Sequence, residues 1–156
     1  MTQTRAWRNF KRMQDIAVIG GGLIYAGAVI HAWRVLPGTA QLKAELTLLF
    51  PAGFLLLFWL GPLLAPPARR MLERYVWMSF EAGFGQSAVS VMVAVGVLAA
   101  AAAFIYLQVA GVAHGGRYPA GVFSGYGAGI GILLAQAIIA RRLERHPDVR
   151  PRIETD

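Results

Sequence analysis

The chain has 156 residues, 56% of them hydrophobic and 15% charged, with 18 glycines, no cysteine and a formal net charge of +7. Without cysteine it forms no disulfide, no thiolate metal site and no thiol–quinone couple. The basic excess does not point to nucleic acid, because no folded basic surface is left outside the apolar stretches. Lys and Arg beside apolar segments set membrane orientation instead.

Four stretches, 16–33, 46–65, 87–110 and 120–140, contain no Asp, Glu, Lys or Arg and are 18 to 24 residues long. A helix of ~20 residues, rising ~1.5 Å per residue, crosses the ~30 Å hydrocarbon core. The expected fold class is therefore all-α: an integral membrane four-helix antiparallel bundle. The short connections leave room for one membrane domain, 16–140, between a basic cytoplasmic arm, 1–15, and a polar cytoplasmic tail, 141–156. Twelve of the fifteen Lys and Arg residues lie in the arm, the tail and the connection between spans 2 and 3. The positive-inside rule then places both termini in the cytoplasm, in what is expected to be a bacterial inner membrane.

In chain order, the arm carries Arg5, Arg8, Lys11 and Arg12 with Trp7 and Phe10, a composition suited to an anionic headgroup layer. Basic residues before an apolar run resemble a signal peptide. At 18 residues, however, stretch 16–33 exceeds the usual h-region and reads as the first span. Gly20, Ile24, Gly27 and His31 fall on one face of that span, and the missing side chains there admit a close neighbour. Span 2 holds Pro51 and Pro62, with Pro66 and Pro67 beyond it. Pro51 is expected in the first turns, where a missing N–H matters least, and Pro62 is expected to bend the cytoplasmic end.

Residues 68–82 are amphipathic, with Arg70, Glu73, Arg74, Trp77 and Glu81 on one side and Met71, Leu72, Tyr75, Val76 and Phe80 mostly on the other. They suit a short amphipathic cytoplasmic interfacial helix between spans 2 and 3, with Arg69, Arg70 and Arg74 at the lipid headgroups. An extension of span 3 fits the same pattern. Span 3 contains the alanine run 99–103. In span 4, Gly121, Gly125 and Gly129 recur every four residues, as do Gly127 and Gly131. Gly20, Gly27, Gly121, Gly125 and Gly129 are the expected helix-packing positions. The segment 125–131 superficially resembles a dinucleotide loop, but no strand precedes it and it lies inside an apolar span.

Chemistry is sparse. His31 and His114 are both expected near the outer interface, where two imidazoles could hold haem b or another ligand, and Glu45 could add a carboxylate. Interfacial histidines also occur without any such role. No ionisable residue lies at mid-depth in any span, where coupled carriers keep one. No Ser/His/Asp set or acidic metal motif suggests catalysis. The reading is a non-catalytic accessory, scaffold or assembly subunit of a larger inner-membrane complex. Its expected partners are the lipid bilayer and other membrane subunits or copies of itself. The alternatives are a homo-oligomeric channel or small-molecule transporter, and a haem- or quinone-binding electron-transfer subunit using His31 and His114.

Overall fold

The computed structural model describes residues 3–84, 87–113 and 120–145, and among these every regular element is helical. In chain order they are α1 (Gln3–Val35), α2 (Ala40–Ala44), a π-helical turn (Glu45–Leu49), α3 (Phe50–Leu64), α4 (Pro66–Glu81), α5 (Ala88–Ala113) and α6 (Ala120–Glu144). Three helical segments are long and apolar enough to cross a membrane: Arg5–Val35, Ala40–Leu64 and Gly121–Glu144. Helix α5 also contains an apolar stretch, Val95–Gly111. Large apolar side chains such as Leu23, Leu57, Met92, Val97 and Leu107 are exposed, as lipid-facing residues are.

The basic arm is helical and continuous with the first apolar stretch. Its aromatic residues turn into the protein: Trp7 and Phe10 are buried with Leu72, Val76 and Phe80 of α4 and Ala135, Ile139 and Ala140 of α6. The rings of Trp7 and Phe80 meet edge to face with centroids 4.7 Å apart. Two ion pairs join the same ends of α1 and α6. Asp15 accepts from Arg141 Nη2 at 2.6 and 2.9 Å, and Lys11 Nζ lies 2.5 Å from Glu144 Oε2.

Pro51 sits well inside one continuous helix, Ala40–Leu64, rather than in its first turns. Its missing N–H therefore has a consequence. Proline inside a helix leaves the carbonyl four residues back without a partner and crowds it. Here that carbonyl belongs to Thr47, inside the π-helical turn, and the Tyr25 hydroxyl of α1 donates to it. Helix α3 continues through Pro62 and stops at Ala65, whose extended backbone (φ −85°, ψ 112°) is the geometry a residue before proline prefers.

Helix α4 is a separate element and not the start of α5. It ends in a Schellman turn: Gly83 has φ +79°, its N–H bonds the Phe80 carbonyl, and the Phe84 N–H bonds the Ser79 carbonyl. Leu72, Val76 and Phe80 form its buried stripe. Met71 and Tyr75, expected beside them, are exposed instead and form a second apolar strip with Met78.

The closest helix pairs run parallel. Pro51 and Leu55 of α3 meet Gly127 and Gly131 of α6 in ascending order. Gly20 meets Leu98, and His31 stacks on Tyr106, likewise in ascending order along α1 and α5. Helices α1 and α6 run antiparallel, as the Asp15–Arg141 pair and the Gly21–Tyr126 contact show.

Candidate functional site

The small-residue faces of α6 separate into two kinds. A Cβ on Gly131 would stand 2.5 Å from the Leu55 carbonyl oxygen and 3.1 Å from the Trp59 backbone nitrogen. One on Gly127 would overlap the Pro51 carbonyl. These two glycines let the backbones of α3 and α6 touch, the contact that close-packed membrane helices use in place of hydrophobic drive. Among the described residues, nothing lies within 4 Å of the position a Cβ on Gly121, Gly125 or Gly129 would take.

The open glycines line a groove of about 660 Å³ between α5 and α6, reaching Gly21 of α1. Ala101, Ile105 and Ile130 supply much of its apolar wall. Tyr126 provides a fixed polar edge. Its hydroxyl donates to the Gly21 carbonyl at 3.2 Å, and its ring stacks on Tyr25 with centroids 5.8 Å apart. A Cβ on Gly20 would stand in ordinary contact with Leu98, 3.5 Å from its Cδ1, while one on Gly27 would have nothing within 4 Å among the described residues.

A polar knot closes the end of the bundle near the π-helical turn. Thr47 is fully buried; its hydroxyl accepts from Trp33 Nε1 at 2.9 Å and donates to the Lys43 carbonyl at 2.7 Å. Lys43 Nζ in turn donates to the Trp33 carbonyl at 3.0 Å. With the Tyr25 hydroxyl on the Thr47 carbonyl, the knot ties α1 to the start of the second helical segment. Thr47 and Tyr25 were not singled out from sequence. The available signal was Pro51, which orphans an acceptor four residues earlier.

His31 is half-buried on α1 and stacks on Tyr106 with centroids 5.0 Å apart, in a groove of about 550 Å³ that Gly27 also lines. His114 lies outside the described residues, as does the tail beyond Arg145. Glu45 opens the π-helical turn and accepts from Gln41 Nε2 at 3.0 Å. Among the described residues no three His, Asp or Glu side chains converge as a metal site would require. On α4, Arg70 and Arg74 are exposed beside Met71, Tyr75 and Met78, while Arg69 is half-buried with its Nε 3.8 Å from Glu73. Charged and apolar strips side by side on one exposed surface suit a helix lying at the headgroup level.

No protein-family model, curated protein or solved structure matches this chain.

Proposed function

We propose that the chain is a non-catalytic accessory or assembly subunit of a larger inner-membrane complex, and that a helix of a partner subunit occupies the groove between α5 and α6. In this reading α5 also crosses the membrane, as the third of four spans, and both termini lie in the cytoplasm. Twelve of fifteen Lys and Arg residues on one side support that orientation.

One observation carries the reading. Gly121, Gly125 and Gly129 keep the four-residue spacing by which Gly127 and Gly131 seat α3, yet they face an open groove. A gap of that size forfeits dispersion contacts unless something fills it. A helix brings a whole ridge of side chains to a small-residue face, and its backbone can approach closely there. Among the described residues no Asp, Glu, Lys, Arg or His side chain lines the groove, which favours packing over transport or catalysis.

The test is site-specific. A photo-crosslinking residue at Gly125 should join a distinct membrane subunit in native membranes. Gly125→Leu and Gly129→Leu should abolish co-purification of that subunit in mild detergent while far-UV circular dichroism stays unchanged. A stable monomer with no crosslinked partner would sink the reading. Crosslinks confined to a second copy of the chain would replace it with the homo-oligomer.

A further inference from the structure

A second cavity, remote from the α5–α6 groove, is built differently. It is a cleft of about 190 Å³ between α1, α4 and α6. Gln14 lines it, only 8% exposed, and its Oε1 has no hydrogen-bond partner among the described residues. A buried acceptor left that way costs ~1–3 kcal/mol. Ser79 of α4 and Gln136 of α6 line the same cleft, so each of three helices brings a neutral polar side chain to it. Turning the Gln14 amide over exchanges an unsatisfied acceptor for an unsatisfied donor and does not remove the deficit.

Position and walls define what fits. Gln14 neighbours Asp15, and Gln136 precedes Arg141 by little more than a turn, so the cleft lies at the level where the apolar helices meet their charged ends. Phe10 and Leu133 form its apolar sides. Tyr75 and Phe84 also line it and are themselves 55% and 57% exposed, so the mouth is aromatic and faces outward. A volume of about 190 Å³ is below the ~300–1,000 Å³ of sites that enclose most of a drug-sized ligand. It holds a headgroup and leaves a tail outside. Among the described residues no charged side chain lines it, so an anionic headgroup would be desolvated there without a counter-charge.

We infer that this cleft binds the neutral, hydroxyl-bearing headgroup of a membrane lipid, which donates a hydrogen bond to Gln14 Oε1 and is held from the other sides by Ser79 and Gln136. The tail leaves between Tyr75 and Phe84 into the bilayer. A quinol ring and the free hydroxyl of a diacylglycerol share this chemistry.

The experiment uses the full chain in phosphatidylcholine nanodiscs, loaded separately with decylubiquinol and with dioctanoylglycerol, and reads lipid adducts by native mass spectrometry. A saturable one-to-one adduct with either probe supports the site, and the probe that binds identifies the source. Gln14→Met keeps the side-chain volume and removes the acceptor. It should weaken that adduct at least tenfold and leave the melting temperature unchanged or raised. If Gln14→Met does not fold, Ser79→Ala carries the same expectation for binding. Absence of an adduct with both probes overturns the inference and leaves a cleft that holds water. Equal binding by O-methylated probes, or by the variant, also overturns it.

Discussion

The contact between α3 and α6 makes a quantitative prediction. An alanine at Gly131 puts its methyl 2.5 Å from the Leu55 carbonyl oxygen and 3.1 Å from the Trp59 nitrogen, both backbone atoms that cannot swing aside. The helices must part, with an overpacking cost of ~1–3 kcal/mol. Alanine's better helix propensity returns ~0.5–1 kcal/mol. The net effect is a loss of up to roughly 2.5 kcal/mol. At Gly129, two residues away, nothing among the described residues lies within 4 Å, so alanine brings only the propensity gain. The alanine at Gly131 should therefore be the less stable variant by about 1–3 kcal/mol, or some five- to 150-fold in the unfolding equilibrium. The assay is an SDS mole-fraction titration in mixed micelles, followed by far-UV circular dichroism. Gly127→Ala and Gly125→Ala should repeat the contrast. Equal destabilisation at Gly129 and Gly131 would refute the assignment of the two faces.

Other predictions rest on single contacts. Tyr25→Phe leaves the Thr47 carbonyl without its donor and should cost ~1–3 kcal/mol. In a Pro51→Ala background, which restores an N–H for that carbonyl, the same change should cost measurably less, so a double-mutant cycle with no coupling would dismiss the explanation of the π-helical turn. Trp7→Ala removes the centre of the aromatic cluster and should cost ~3–5 kcal/mol, freeing α4 to proteolysis near Gly83; unchanged protection would contradict its docking role. Asp15→Asn breaks a pair whose side chains are 42% and 47% exposed and should cost at most ~1 kcal/mol, a loss that fades with added salt.

Much of this arrangement can be read from the residues, and what cannot is instructive. Apolar stretches free of charge mark the long helices, and the amphipathic pattern over 68–82 marks α4. The choice between its two readings comes from Gly83, whose left-handed backbone ends the helix. Trp7 and Phe10 illustrate a real ambiguity. Aromatic residues among basic ones suit a headgroup layer, and only the apolar stripe of α4 laid across them makes them core. The α6 glycines are harder still. In a soluble helix, polar residues reveal which side faces out; in a lipid-facing helix both sides are apolar, so the two four-residue repeats look equivalent. Which one meets α3 depends on helix rotation, which no local pattern encodes. Gln14 and Gln136 have no sequence relation at all, and only folding brings them to one cleft.

The parallel seam between α3 and α6 also bears on how the chain is made. Its two halves, Pro51–Leu55 and Gly127–Gly131, are separated by α4 and α5 in the order of synthesis. At ~5–20 residues per second, the second half emerges about 4–15 s after the first. Throughout that delay the second helical segment has no α6 to lean on, and its proline-weakened turn is held only by what α1 supplies: Tyr25 and Trp33, both already translated. The polar knot is thus a provisional brace as well as a finished joint. A ribosome stalled after α5 should carry a chain whose first two apolar segments are tied at one end and unzipped along the rest.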